Sequence, residues 1–397
     1  SGLLVDRVDG DVLPRPDFEN AAIGMYRCRD GWIFLVGSLP HLHEGTLDVL
    51  GCRDDRASVA AATSRWDAVE LETTLADRGL CGAAARTVDD WRRSPQGRVV
   101  SALPAVELVQ IGRADPRQAP EGDLPLSGVR VLEVARILAG PITGRTLASL
   151  GADVLNTTTP RLGNFHACVV NAGIGKRHAE VDLATSDGAT TYTDLARAAH
   201  VVVDAHRAGS LEARGLGPRA LTEISPGVVY VSVNAYGQEG PWRERRGFEQ
   251  MAQVAAGLTT VQGSPEEPEI LPIGAPLDYI TGFLGAYGAM AGLAAQRRHG
   301  GSWWARASLA QSAAWLARLP PVAGFESARG LGGDPGARQK NELERIDDVS
   351  AVRPYLQTTI SPFGAVEHLR PAFHLDRTPA RWDLPPVAPG THPAAWA

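Results

Sequence analysis

Short apolar runs and longer stretches with helical spacing alternate along this chain. The run from Trp32 to Val36 follows Asp30-Gly31 and reads as a strand. Residues Ala57–Ala62 and Trp66–Arg78 read as helices, and Gly79 stands where a left-handed cap would close the second. Further on, Val129–Val134 has a buried-strand pattern. Ala139-Gly140-Pro141 opens a helix, since proline suits the first helical turn, and the helix runs to about Leu150. Gly151 closes it, and Ala152–Leu155 starts another strand. Strand, helix and strand in that order predict a parallel pair with a right-handed crossover. More strands are predicted at Val201–Asp204 and Val228–Val233, with a helix before the first. The pattern predicts an α/β fold: an open parallel, Rossmann-like sheet with flanking helices, plus a smaller α+β domain.

Residues 1–112 form the small α+β domain in this reading, and 113–127 a Pro-rich linker whose prolines and mixed charges oppose regular structure. The large domain spans 128–318. The proline-rich stretch 319–397 is expected to be an irregular tail returning to the small domain. The most apolar stretch, Tyr279–Ala295, is short, rich in Gly and Ala, and directly preceded by Asp278, so a buried helix is expected and not a membrane span. The first residues show neither a basic end nor a sustained apolar run, and no signal peptide is expected.

Composition narrows the class. With 397 residues, 44% hydrophobic and 21% charged, the chain has an ordinary globular balance and material for two domains. A chain of this size buries a core without disulfides or a structural metal. A net charge of -6 disfavours nonspecific nucleic-acid binding. Cys28, Cys52, Cys81 and Cys168 are widely spaced, which argues against a zinc cluster and suits a reducing cytoplasm.

Four places could carry chemistry. Asp278 follows Gly-Ala-Pro-Leu at the start of a small-residue helix. It reads either as a plain helix cap or as an ionised carboxylate able to attack an activated acyl group. Asn171–His178 (NAGIGKRH) is either a phosphate cradle or a surface turn. In Ala235–Glu249, Arg243, Arg245 and Arg246 either clamp an anion or face solvent. His41 and His43 lack a recognisable third metal ligand, so a structural or exposed role is expected and no metal site. The first strand–helix turn lacks GxGxxG, and no GxSxG, HExxH or P-loop is present.

Taken in order, several pieces resemble the class III CoA transferases, the group of formyl-CoA transferase and carnitine CoA-transferase. They include LSGVRVLEVARILAGP at 126–141, LASLGADVL at 147–155, GKRHAEVDL at 175–183, PGVVYVSVNAYGQEGPW at 226–242 and PLDYITGFLGAYGAMAGLAA at 276–295. The resemblance implies that Asp278 attacks an acyl-CoA thioester and later carries CoA as an aspartyl thioester before a carboxylic acid accepts it. It places backbone N–H groups near Gly140 at the developing oxyanion. Arg136, Ile137, Leu138, Lys176, Arg177, Val181 and Arg246 are the implied CoA contacts. Coenzyme A is then a substrate, with no tightly bound cofactor. An interlocked homodimer or a companion CoA-transferase subunit is implied, with no nucleic-acid or membrane partner.

Departures accompany the resemblance. Asn156-Thr157-Thr158-Thr159 replaces charged residues usual near the adenine. The usual Asn-Phe-Arg-Pro-Gly reads Ala205-His206-Arg207-Ala208-Gly209. Met25–Val100 resembles the family's small domain yet precedes the large one, so a permuted order, or part of a longer or split protein, is expected. The lost CoA contacts keep a non-catalytic, ligand- or partner-binding role as the alternative. An acyl-CoA racemase is less favoured, because Phe248 stands where that chemistry needs a proton carrier.

Overall fold

In the computed structural model, which describes residues 6–13, 20–118, 120–272, 274–320 and 352–397, the chain opens with a small hairpin, β1 (Arg7–Val8) and β2 (Asp11–Val12). An antiparallel sheet follows, ordered β3 (Ile23–Arg27), β4 (Trp32–Val36) and β5 (Gly82–Ala84). Helices Arg56–Thr63 and Ala68–Asp77 lie between β4 and β5 in the chain, the first one residue longer at each end than predicted and the second inside its predicted range. Gly79 has the expected left-handed backbone, φ 69°.

The central sheet contains β6 (Glu107–Gly112), β7 (Arg130–Val134), β8 (Asp153–Thr158), β9 (Arg177–Glu180), β10 (Val201–Asp204), β11 (Val229–Asn234) and β12 (Ser302–Ser308). Its order is β6-β12-β11-β10-β7-β8-β9, with every neighbouring pair parallel except β12 with β6. Val201 and Val203 enter the core on one face and Val202 the core on the other. An unbroken apolar run is what a strand covered on both faces requires. β6 corrects the proposed boundary: its residues belong to the 1–112 segment but form the antiparallel edge of the large sheet. A strand whose one neighbour lies in another segment cannot be assigned to its sheet from its own few residues.

Strands β7, β8 and β9 extend the sheet to one side, and β10, β11 and β12 to the other. The winding therefore reverses between β7 and β10, leaving a crevice at their C-terminal ends where open α/β sheets receive ligands. The long helix Pro276–His299 crosses one face. An added Cβ at Gly282 would lie 2.7 Å from the Ala139 carbonyl oxygen, and at Gly285 2.5 Å from Thr143 Oγ1. At Gly292 it would lie 2.5 Å from Val229 Cγ1. Small residues thus let this helix approach both the helix Ala139–Ser149 and the sheet.

The tail departs from expectation twice. It contains a regular antiparallel hairpin, β13 (Leu356–Ser361) and β14 (Gly364–Leu369), and β14 pairs with β1. The later residues run over the large sheet's helices and not back to the β3-β4-β5 unit. Trp382 Nε1 donates to the Arg145 carbonyl at 2.9 Å, and Trp396 Nε1 donates to the Leu195 carbonyl at 3.0 Å. These two indoles pack against the apolar clusters on opposite faces of the sheet. Apolar surface left open by the helices decides the path, and that surface exists only after folding.

Candidate active site

The crevice at the winding reversal holds a cleft of about 140 Å³. The turn Arg136–Gly140 after β7, Ala205–Arg207 after β10, the end of β11, Phe248, Glu249, Leu309 and Asp278 line it. Backbone strain lies at Ile137, which lines the cleft, and at Ala275, three residues before Asp278. Ile137 and Ala275 adopt left-handed φ angles of 68° and 52°, costly for residues with a Cβ. Both pack into one small cluster with Leu138 and Tyr279. Strain held by surrounding packing is common where geometry serves a site.

Asp278 sits three residues into the long helix and faces the cleft, half-buried. It is not the helix cap. Ala275 holds the cap position without a side-chain bond, and the Leu277 N–H donates to Glu249 Oε1 at 3.0 Å. Among the described residues the Asp278 carboxyl has no hydrogen-bond partner. Desolvation, and then the charge of Glu249, push it well above the ordinary carboxylate range. The expectation that the helix start would favour its ionised form is therefore corrected: desolvation outweighs the helix end. Glu249 is buried and accepts from Gln253 Nε2 at 2.8 Å, and burial pushes it up to about 7.

Gly140 lies in the first turn of Ala139–Ser149, whose cap residue Leu138 provides no side-chain bond. Helix geometry leaves the N–H groups of Ala139 and Gly140 without carbonyl partners inside the helix. An added Cβ at Gly140 would meet that of Ala205 at 2.4 Å, so only glycine fits there. Arg136, Ile137 and Leu138 line the same cleft. Burial lowers the pKa of Arg136, whose guanidinium donates to the Gly163 carbonyl.

Three expected CoA contacts are elsewhere. Lys176 is 1% exposed and bonds Glu133 Oε1 at 2.7 Å and the Pro141 carbonyl at 3.0 Å. It borders a separate hollow of about 30 Å³, room for roughly one water. Arg177 makes a fork-to-fork pair with Asp153, Nε to Oδ1 at 3.1 Å and Nη2 to Oδ2 at 2.9 Å, and its Nη1 reaches the Ala395 carbonyl at 2.7 Å. Val181 is buried. The NAGIGKRH stretch is thus neither a phosphate cradle nor a surface turn. An added Cβ at Gly175 would fall 2.3 Å from Trp382, because the tail covers this segment.

Nor do the arginines of 235–249 converge on one point. Arg243 pairs with Glu244 at 2.8 Å, and Arg245 lies 4.4 Å from the Trp242 ring centre. Arg246 is half-buried next to the cleft-lining Gly247, with its Nη1 3.0 Å from His41 Nε2. His43 pairs with Asp54 at 3.0 Å, so the two histidines have different partners.

Sequence reasoning passed over two features. Glu249, the first residue of the short helix Glu249–Ala255, caps the long helix from far away in the chain, which no local pattern announces. His206 faces the cleft, with its Nδ1 2.7 Å from Asp204 Oδ1. Asp204 is buried, also accepts the His206 backbone N–H at 2.9 Å, and receives the Tyr230 hydroxyl at 2.7 Å. The departure from the usual phenylalanine was the available signal for His206.

The family model described as CoA-transferase family III matches residues 126–344. An acyl-CoA transferase of Gibberella moniliformis is 33% identical over 77% of this chain and 58% of that protein. The succinyl-CoA--L-malate CoA-transferase alpha subunit of Chloroflexus aurantiacus is 32% identical over 50% of this chain and 49% of that protein. The chain thus spans about half the length of the curated relatives it matches. The crystal structure of a CAIB/BAIF family protein from Brucella suis aligns with TM-score 0.54 and 22% identity, covering 68% of this chain and 98% of that one. That last likeness is one of fold.

Proposed function

Because the chain belongs to CoA-transferase family III, we propose that it moves CoA from an acyl-CoA to a carboxylic acid, with Asp278 as the nucleophile. The observation that carries this reading is a desolvated carboxyl in a cleft at the winding reversal, beside the first N–H groups of a helix, which have no carbonyl partners within that helix. The ionised Asp278 attacks the thioester carbonyl, forming an anhydride and releasing the CoA sulfur. The sulfur then attacks the aspartyl carbonyl and expels the first acid, leaving an aspartyl-CoA thioester. The acceptor carboxylate repeats the exchange in reverse, and Asp278 is regenerated. The N–H groups of Ala139 and Gly140 would hold the oxyanion of each tetrahedral step.

Arg136, Ile137 and Leu138 remain the proposed CoA contacts, with Arg246 next to the cleft; Lys176, Arg177 and Val181 keep structural roles. The relatives' names support a small carboxylic acid as acceptor, and an alpha subunit among them supports a companion chain. The alternative is a second copy of this chain. We propose a cytoplasmic setting for this metabolite chemistry. None of the described helices is long and apolar enough to cross a membrane.

The test is to incubate the protein with succinyl-CoA, add hydroxylamine, and map the product by peptide mass spectrometry. A hydroxamate on Asp278 is expected, and none in D278N. A fully active protein left unmodified at Asp278 would overturn the mechanism.

A further inference from the structure

His206 has a geometry that the mechanism above does not use. Its Nδ1 faces Asp204 Oδ1 at 2.7 Å, and the other Asp204 oxygen is taken by the Tyr230 hydroxyl at 2.7 Å. An ionised carboxylate only accepts, so Nδ1 carries the hydrogen and Nε2 is the nitrogen left to exchange protons. No described residue bonds Nε2. The side chain is 35% exposed and lies on the cleft wall that Asp278 shares. Asp204, 5% exposed, holds the ring as a carboxylate holds a catalytic imidazole.

We infer that His206, oriented by Asp204, is the acid–base group that carries a proton to and from the CoA sulfur. This rests on the reading that Asp278 opens a CoA thioester. As the tetrahedral intermediate collapses, the C–S bond breaks and protonated Nε2 gives its proton to the departing sulfur. The products are the aspartyl anhydride, the thiol and neutral imidazole. When the sulfur returns to the aspartyl carbonyl, the thiol proton goes back to Nε2 and the first carboxylate leaves. The second half of the cycle uses the same two transfers, so charge and protons balance over a turnover. Each C–S cleavage otherwise expels a bare thiolate into a cleft already holding two carboxyl groups, Asp278 and Glu249. The charged or titratable groups around His206 are Asp204 and Tyr230 behind it, and Arg136, Arg207, Glu249 and Asp278 around the cleft.

The experiment compares wild type, H206Q and H206A as full chains, with succinyl-CoA as the probe. It reads single-turnover CoA release, trapped by hydroxylamine, across pH. For H206Q the expected result is a loss of about 10²–10⁴-fold in rate, the range of one acid–base group, with KM changed by no more than about twofold. The limb of the pH profile due to His206 should vanish while the rise due to Asp278 stays. Imidazole in the buffer should restore part of the rate to H206A, which a purely structural residue would not permit. If H206Q keeps the wild-type rate and pH profile while D278N is dead, His206 has no such role and the transferase reading stands. A rate loss in H206A that imidazole does not rescue, with an unchanged pH profile, overturns it equally. Solvent deuterium entering the acyl α-carbon in wild type but not in H206Q would move the proton from sulfur to carbon and also overturn it. No adduct on wild-type Asp278 would fail the transferase reading itself, and the role of His206 with it.

Discussion

Asp278 and Glu249 share one desolvated corner, where burial and then the charge of Glu249 make ionisation of Asp278 harder. A carboxyl held up in this way is a stronger nucleophile once ionised, at the cost of a smaller ionised fraction in acid. The rate of Asp278 acylation should therefore rise with pH beyond the range where free aspartate is already ionised. Hydroxamate yield across pH 4–8 measures this, and a flat profile would contradict it. D278N should abolish the adduct while raising stability by about 1 kcal/mol, because an isosteric neutral group relieves a strained site. Urea denaturation reads that gain. Glu249 has a folded pKa of about 7 against an ordinary value of 4.5. Its proton is held more tightly in the folded chain, so its stabilising contribution is full below pH 4.5 and is lost as pH rises through 7. The span corresponds to about 3 kcal/mol. E249Q cannot titrate, and denaturation from pH 4.5 to 7.5 should show its stability falling less than that of wild type over this window.

The long helix Pro276–His299 carries Asp278 into the cleft, and its glycines set how closely it lies. Valine at Gly285 would collide with Thr143 and with Val233, 3.1 Å from the modest Cβ alone. G285V should cost about 1–3 kcal/mol by overpacking. It should also lower transfer by tilting Asp278 away from Gly140, so urea midpoint and hydroxamate yield should fall together. At this scale much was legible. Trp32–Val36 and Val201–Asp204 are strands over the predicted residues, because unbroken apolar runs have few other uses. The hairpin Leu356–Leu369 was not legible. Its strands, LQTTIS and GAVEHL, show no regular alternation of apolar and polar positions, and its partner β1 lies at the far end of the chain.

Across the molecule, the tail acts as a strap over the central sheet. The Arg145 guanidinium lies 4.5 Å from the Trp382 ring centre, and Arg145 also reaches Asn171 Oδ1 at 3.3 Å. Asn171 Oδ1 in turn accepts the Tyr279 hydroxyl at 2.9 Å, one residue from Asp278. W382A should cost about 2 kcal/mol, less than the ~3–5 of a fully buried tryptophan. It should also open the tail to limited proteolysis before global unfolding, and uniform resistance to cleavage would contradict that role. Local pattern alone determined the parallel sheet and the helix behind Asp278, because periodicity is a property of neighbouring residues, while the ordered motifs that resemble the class III CoA transferases implied Asp278 as the candidate nucleophile. Only the tertiary structure decided that Glu249 caps this helix, that Lys176 and Arg177 are consumed in ion pairs, that His206 faces the cleft, and where the tail lies. Each of those depends on groups far apart in the chain meeting where water has been removed, and burial of that kind is set by the whole packed molecule.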